Sequence, residues 1–267
     1  MSVELIFVFL ILGAFVGFMA GLLGIGGGGI LVPVLTTIFI YQGFALDNVV
    51  HIALGTSTAC IMVTSFSSLR AHHANGAVIW SLVKAMSPTI IIGTFLATFV
   101  AAKISSQGLA VFFSVFMAYV ASQMFRSKKI QASGSSAGKV ELRLVAFGIG
   151  AISALVSIGG GSLTVPYLSW RDIDIRKAIG TSAALGFPIA ATGTLGYLIN
   201  GIVAGGTHPQ YTLGFIYVPA VLLVTIPSFF TAPLGAKLTQ TLPITALKRI
   251  FGVLLIILSV KMLVSLL

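Results

Sequence analysis

Gly24-Ile25-Gly26-Gly27-Gly28-Gly29-Ile30-Leu31-Val32-Pro33 is a glycine-rich run in a strongly apolar chain. It recurs as Ile158-Gly159-Gly160-Gly161-Ser162-Leu163-Thr164-Val165-Pro166, 133 residues downstream, with six of nine positions identical. The run is not an ordinary helix interior, because each Gly costs about 1 kcal/mol of helix stability relative to Ala. Within a membrane, non-helical backbone survives only where protein or a water-filled cavity covers it. Matching glycine breaks in two halves therefore predict one central polar site.

The composition indicates a membrane protein. The 267 residues are 57% hydrophobic and 7% charged, with a mean hydropathy of +1.11, whereas soluble domains carry about 25% charged residues. The apolar runs are continuous, which favours helices over the alternating segments of a β-barrel. The net charge of +10 is spread over predicted loops and helix ends, so it does not indicate a nucleic-acid partner. The single cysteine, Cys60, predicts neither an internal disulfide nor a multi-cysteine metal site, and no cofactor motif is evident.

A second internal match supports a duplicated chain. Ala53–Ala59 matches Ala178–Ala184 at five of seven positions, 125 residues apart, and each copy contains Gly-Thr-Ser. Between the two sets of apolar segments lies a polar stretch with a Ser-Gly-Ser-Ser core, typical of a linker. We therefore predict one transmembrane transporter domain with internal repeats 1–126 and 142–267, joined by a cytoplasmic linker 127–141.

Charge places the ends of these segments relative to the membrane. Cytoplasmic loops are enriched in Lys and Arg, and five such residues lie between Arg126 and Arg143. The next basic loop, Arg171 to Lys177, belongs on the same side only if the Leu144–Trp170 unit enters and leaves from that side. The second arm of this unit, Ser162–Trp170, would cover about 13 Å as a helix, too little to cross a core of about 30 Å.

The sequence therefore predicts an all-α integral membrane protein made of two inverted repeats. Each repeat is a glycine-broken, re-entrant helix pair plus three transmembrane helices, and the odd number of spans reverses the orientation of the second half. The alternative is a parallel arrangement of four plus four spans, in which each glycine unit is a single broken span.

The helix arms that follow the glycine runs suit an anion. Their unpaired N-terminal N–H groups and the positive end of the helix dipole favour negative charge, and the hydroxyls of Gly-Thr-Ser add donors. A small tetrahedral or pyramidal oxyanion fits these donors. The candidate substrate-binding residues are Gly26, Gly27, Gly28, Gly29, Thr56, Ser57, Gly159, Gly160, Gly161, Ser162, Thr181 and Ser182. The alternative is that the glycines only permit close helix packing and that the hydroxyls bond to the preceding turn.

Ionisable residues narrow the chemistry further. All five carboxylates lie near predicted segment ends or loops, which argues against a proton relay of buried Asp or Glu. His72 and His73 are predicted to be solvated in a cytoplasmic loop, and His51 is predicted to make a surface-exposed hydrogen bond with Asp47. No predicted span holds a His beside a nucleophile, so an intramembrane enzyme is the weaker hypothesis.

The doubled glycine signature, each copy followed by Gly-Thr-Ser, is similar to that of the sulfite exporter TauE/SafE family, also called the toluene-sulfonate uptake permease family. The resemblance covers essentially the whole chain. It implies a multi-pass permease of the plasma membrane (the bacterial inner membrane) that moves sulfite, sulfoacetate or a related organosulfonate by alternating access. The partners it implies are the lipid bilayer and a small anionic sulfur-containing substrate, with homo-oligomerisation left open. A passive anion channel is the alternative.

Overall fold

The computed structural model describes residues 3–24, 26–125, 138–205, 209–239 and 244–266. This part of the chain forms ten α-helices and one short β-hairpin. The first five helices are α1 (Val3–Leu23), α2 (Gly28–Tyr41), α3 (Val49–Ala74), α4 (Trp80–Ala101) and α5 (Ser106–Phe125). The others are α6 (Lys139–Val156), α7 (Gly161–Trp170), α8 (Ile175–Ala204), α9 (Val218–Leu238) and α10 (Ile244–Val264). Strands β1 (Thr212–Leu213) and β2 (Ile216–Tyr217) pair antiparallel just before α9.

Six of these helices are long and apolar enough to cross a bilayer: α1, α3, α4, α5, α8 and α9. Their outward faces carry large apolar side chains, such as Ile11, Val115 and Phe230, each more than 60% exposed. A soluble protein rarely leaves so much contiguous apolar surface in water, whereas lipid is a favourable environment for it. The prediction of an all-α integral membrane protein is confirmed.

The central helices α3 and α8 cross in antiparallel directions. A Cβ placed on Gly55, near the start of α3, would lie 3.1 Å from the Cβ of Tyr197, near the end of α8. Farther along α3, the Cβ of Ser65 would lie 3.5 Å from one placed on Gly186, which precedes Tyr197 in α8. Residue numbers thus fall along α8 as they rise along α3. Both helices carry a Gly-Thr-Ser copy, and they run in opposite directions.

Helices α5 and α10 are antiparallel as well. Ser114, near the middle of α5, donates a hydrogen bond of 3.3 Å to the carbonyl oxygen of Ser259. Closer to the C-terminus of α5, the Cβ of Met124 would lie 3.4 Å from one placed on Gly252, seven residues earlier in α10. The remaining large helix contacts also form matching sets: α1 packs on α9 as α6 packs on α4, and α9 packs on α3 as α4 packs on α8. This is the contact pattern that two similar halves produce.

Helix α1 packs against α9 through a stripe of glycines. Positions 13, 17 and 21 fall on one face of α1, since residues four apart lie one turn above another. A Cβ on each would lie 2.4 Å or less from backbone atoms of α9; the pairs are Gly13 with Val224, Gly17 with Ser228 and Gly21 with Ala232. Both sets of numbers rise together, so the two helices are parallel. Here the glycines serve close packing, as small residues commonly do in membranes.

Two predicted boundaries differ from the structure. Helix α3 continues to Ala74 and so includes His72 and His73, which were predicted to lie in a loop. It ends where Gly76 adopts a left-handed φ of 66°. The N–H of Ala77 then bonds to the carbonyl oxygen of His72, closing the helix in a Schellman-type turn. Helix α6 begins at Lys139, inside the predicted linker 127–141. Most of that linker lies outside the described residues.

Candidate anion-binding site

Each half folds its glycine run into the turn of a helical hairpin, α1–α2 in the first half and α6–α7 in the second. The two turns have the same backbone form. Gly24 and Ser157, at corresponding positions, have φ values of 67° and 48°, and Gly27 and Gly160 have values of 82° and 75°. A left-handed conformation costs most residues about 1–2 kcal/mol and costs glycine almost nothing. The runs therefore allow α2 and α7 to start abruptly inside the protein.

The N-termini of α2 and α7 are uncapped. Gly27 and Gly160 occupy the N-cap positions and have no side chain to bond the first turn. Within each helix, the first N–H groups with a backbone acceptor belong to Ile30 and Leu163. In the described part of the chain, the preceding amides have no hydrogen-bond partner; they belong to Gly28, Gly29, Gly161 and Ser162. Unpaired amides at a positive dipole end form an anion-binding element without a formal charge.

The two hairpin turns touch each other at the centre of the protein. A Cβ placed on Gly26 would lie 2.8 Å from the Cα of Gly159, so no larger residue fits without displacement. The contact is covered by Ile61, whose Cγ2 would lie 3.1 Å from that same Cβ. Ile61 is the thirteenth of the 26 residues of α3. The structure thus brings the two glycine runs together halfway along a membrane-spanning helix.

A small cavity of about 10 Å³ lies beside this contact, room for about one water molecule. Its walls are glycine backbone from both hairpins and short side chains from α1, α3 and α8. The lining residues are Ala20, Gly24, Gly26, Ser65, Ser68, Gly159, Ala183 and Gly186. Of these, Ser65 and Ser68 supply the side-chain hydroxyls. Neither serine was predicted to lie in the site, because a serine in a run of serines and threonines gives no signal of which side of the helix it faces.

A second cavity, of about 70 Å³, lies at the N-terminus of α7. Gly161 and Ser162 line it from α7, and Gln123 lines it from α5. The Ser162 hydroxyl is buried and has no hydrogen-bond partner among the described residues. Two predicted site residues therefore face this space together with an amide side chain that the sequence did not indicate.

Two further predicted residues lie against protein. A Cβ on Gly28 would lie 1.5 Å from the carbonyl oxygen of Ser157, and one on Gly29 would lie 2.7 Å from a side-chain methyl of Leu255. The start of α2 is consequently packed more tightly than the start of α7.

The threonines of the two Gly-Thr-Ser copies bind backbone. Thr56 Oγ1 accepts a 2.9 Å hydrogen bond from the N–H of Tyr217, and Thr181 Oγ1 accepts one of 3.0 Å from Ile79. Tyr217 and Ile79 are the N-cap residues of α9 and α4. Thr56 in α3 therefore fixes the start of α9, and Thr181 in α8 fixes the start of α4, so each threonine holds a long helix of the other half.

The serines that follow the threonines differ between the halves. Ser182 Oγ donates a 3.0 Å hydrogen bond to the carbonyl oxygen of Gly24 and so anchors the first hairpin turn to α8. Ser57 is fully buried, and its hydroxyl has no partner among the described residues. Leaving a buried hydroxyl unpaired costs free energy. Ser57 is therefore a buried donor whose hydrogen bond is not made in this conformation.

Two histidine predictions are wrong. His72 is completely buried, with Nε2 donating a 3.0 Å hydrogen bond to the carbonyl oxygen of Gly21, and not solvated in a loop. His51 is 3% exposed, and its ring nitrogens face Ala101 O and Ser106 Oγ, not the Asp47 carboxylate. Both errors have one cause: α3 is the central helix, so even its end turns are covered by neighbouring helices.

The mouth of the second hairpin is held by a charged pair. The guanidinium of Arg171, just after α7, binds the Glu141 carboxylate in the first turn of α6. It also lies 4.9 Å from the centre of the Trp170 ring. Among the described residues, no group of three or more His, Cys, Asp or Glu side chains is placed to hold a metal ion. Charge is thus confined to the ends of the hairpin, and its central turn is lined by amides and hydroxyls.

Six of the described helices can cross a membrane, one of them (α1) being also the first arm of a hairpin, and the turns of the two hairpins meet at mid-span. This arrangement defines a multi-pass membrane transporter, a class that resides in the plasma membrane here. Residues 9–262 match the family model described as Sulfite exporter TauE/SafE. The chain belongs to this family.

Its relatives are described in the same general terms. A "Probable membrane transporter protein" of Haemophilus influenzae is 36% identical over 254 residues, covering 95% of this chain and 96% of the relative. Proteins described as probable membrane transporters from Methanocaldococcus jannaschii and Xylella fastidiosa are each 28% identical, covering 86% and 97% of this chain and 85% and 95% of their own lengths. No solved structure matches the chain.

Proposed function

We propose that the protein is a permease for a small sulfur-containing oxyanion, such as sulfite, sulfoacetate or a related organosulfonate. It moves this anion across the plasma membrane by alternating access between two inverted halves. The sulfur chemistry of the substrate is taken from the family to which the chain belongs. The preference for an anion follows independently from the uncapped helix ends.

The contact between Gly26 and Gly159 carries this proposal. It brings two uncapped helix N-termini to the middle of the membrane, where water is scarce and a dipole end acts strongly because the surroundings screen it poorly. The site holds an oxyanion without a buried lysine or arginine, which would be costly whenever the anion left. Gly161 and Ser162 contribute two unpaired amides and one hydroxyl beside the larger cavity.

The antiparallel crossings support the inverted arrangement. Corresponding helices α3 and α8 run in opposite directions, as do α5 and α10, which a parallel repeat would not produce. The basic residues of the Arg126–Arg143 and Arg171–Lys177 segments then fall on one side, the cytoplasm. In such transporters one half rocks against the other around a fixed central site.

A carrier fits the site better than a passive channel. The central cavity of about 10 Å³ accommodates about one water molecule, so an oxyanion enters only when the hairpins separate from α3 and α8. A channel instead conducts through a continuous pore.

Transport by the purified protein in liposomes tests the proposal. Labelled sulfite is expected to accumulate faster when the liposomes are preloaded with unlabelled sulfite, since exchange through a carrier is faster than net flux. Chloride and a matched neutral solute serve as controls. Uptake that preloading does not stimulate would identify a channel, and absence of uptake for sulfite, sulfoacetate and thiosulfate alike would reject the proposed substrate class.

A further inference from the structure

We propose that Ser68, in α3, is a ligand-binding hydroxyl of a one-sided central site, and that Ile61 closes the opposite side. This inference rests on the proposed function, because it assigns a residue to the same anion site. It comes from comparing each residue that lines the central cavity with its counterpart in the other half.

Among the described residues, the side of the hairpin contact that holds this cavity carries the smaller residues. The hairpins correspond at a spacing of 133 residues, and α3 and α8 correspond at a spacing of 125. At four lining positions, the counterpart on the opposite side is larger. The pairs are Ala20 with Ser153, Gly24 with Ser157, Ala183 with Thr58, and Gly186 with Ile61.

The largest of these differences is between Gly186 and Ile61. A Cβ on Gly186 would lie 3.0 Å from the carbonyl oxygen of Gly159 and 3.5 Å from the Cβ of Ser65. This position therefore has little room for a side chain. Ile61, by contrast, places its methyl groups against both hairpin turns. It is 1% exposed. The isoleucine therefore fills the space that the glycine leaves open.

The two serines that line the cavity are exceptions, because each is larger than its counterpart in the other half. Ser65 and Ser68 correspond to Ala190 and Gly193 in α8. At these two positions the side that holds the cavity has the larger residue, and in both cases the extra atoms include a hydroxyl. Ser65 Oγ already donates to the carbonyl oxygen of Met62 at 3.2 Å. Ser68 is 2% exposed, lines the cavity, and has no hydrogen-bond partner for its hydroxyl among the described residues.

A buried hydroxyl without a partner loses its hydration and gains nothing in return. An oxyanion in the cavity supplies the missing acceptor, and a hydrogen bond to a charged group is stronger than one between neutral groups. Ser68 lies on the side of the hairpin turns toward the α3 C-terminus, which the basic loops assign to the cytoplasm. The closed state seen here therefore opens first to the cytoplasm, with Ile61 blocking the outer side.

Substitution of Ser68 by Ala separates a ligand role from a structural one. In Ser68→Ala, sulfite affinity measured by calorimetry in detergent is expected to fall roughly 10- to 100-fold, the effect of losing one hydrogen bond to a charged group. Its melting temperature without sulfite is expected to stay unchanged or rise, because an unpaired polar atom is removed. Gly186→Ala, which places a methyl group in the cavity, is expected to weaken sulfite binding as well.

Ser67→Ala is the matched control, since Ser67 is equally buried on the same helix but donates to Phe229 O at 2.6 Å. It is expected to lower the melting temperature and leave sulfite affinity unchanged. If the wild type binds sulfite and Ser68→Ala binds it equally well, Ser68 is not a ligand and the inference fails while the proposed function stands. If the wild type neither binds nor transports any of the sulfur oxyanions, both fail.

Discussion

His72 Nε2 donates a 3.0 Å hydrogen bond to the carbonyl oxygen of Gly21, joining the end of α3 to the last turn of α1. The second half repeats the arrangement with a different residue. Tyr197, the counterpart of His72, donates a 2.9 Å bond to the carbonyl oxygen of Ala154, the counterpart of Gly21. In each half, the central helix (α3 or α8) is thus bonded to the first helix of the hairpin in the same half (α1 or α6), just before the glycine turn.

This bond makes His72 a structural residue. His72→Leu leaves the Gly21 carbonyl without its partner and is expected to lower the free energy of unfolding by about 1–3 kcal/mol. Thermal unfolding in detergent measures the loss. His72→Gln, whose amide nitrogen reaches a position close to Nε2, is expected to recover most of it. Equal melting temperatures for the Leu and Gln variants would contradict this role.

The left-handed N-cap glycines are expected to be essential for transport. A Cβ on Gly27 would lie 2.3 Å from a methyl group of Val16, and one on Gly160 would lie 2.6 Å from the terminal methyl of Ile189. Gly27→Leu and Gly160→Leu are expected to abolish sulfite uptake in liposomes while folded protein remains in the membrane, as judged by gel filtration. Gly43→Leu is the control, since Gly43 has a φ of 81° and no atom within 4 Å of its Cβ position. Normal uptake by both hairpin variants would reject this site.

The threonines of the Gly-Thr-Ser copies are expected to act through folding. Thr56→Val and Thr181→Val each keep the side-chain shape but remove the acceptor for a buried N–H, at a cost of about 1–3 kcal/mol. Similar drops in melting temperature are expected for the two, because both hold the start of a long helix. Sulfite affinity, measured alongside, distinguishes the roles: a large loss of affinity with no loss of stability would make them substrate contacts instead.

Close packing of α1 on α9 predicts that a large side chain is tolerated at Gly148 in α6 but not at Gly17 in α1. Gly17→Leu would force side-chain atoms into Ser228, whose Cα lies 2.4 Å from the added Cβ, whereas Gly148 in α6 has nothing within 4 Å of its Cβ position. Gly17→Leu is therefore expected to prevent accumulation of folded protein, and Gly148→Leu to be tolerated. Membrane yield and gel filtration in detergent compare the two variants directly.

Labelling of introduced cysteines tests the orientation of the halves. Gly43, between α2 and α3, and Asp172, between α7 and α8, are both exposed. The inverted arrangement predicts that Gly43→Cys reacts with an impermeant maleimide added to intact cells. Asp172→Cys is expected to react only after the membrane is permeabilised. The native Cys60 is fully buried and gives little background. Labelling of Asp172→Cys in intact cells would favour the parallel arrangement.

The glycine runs and the apolar segments made much of this fold predictable. Five glycines in the ten residues from Gly24 to Pro33 exclude a continuous helix, and the short Ser162–Trp170 arm excludes a full span, so the hairpins followed from local physics alone. The partners of Thr56 and Thr181 did not follow, because each bonds to a backbone group more than 100 residues away. The burial of His72 was hidden for a similar reason: a polar residue beside Arg70 and His73 resembles a loop residue until other helices cover it.

The sequence by itself determined that the chain spans a membrane, that two of its segments recur, and that each copy of the glycine run breaks a helix. These properties depend on composition and on residues close together in the chain. Only the tertiary structure decided which glycines meet, which hydroxyls are already bonded, and which remain unpaired. Those outcomes depend on how α3 and α8 cross, and a shift of one residue along either helix would rotate a different side chain toward the Gly26–Gly159 contact.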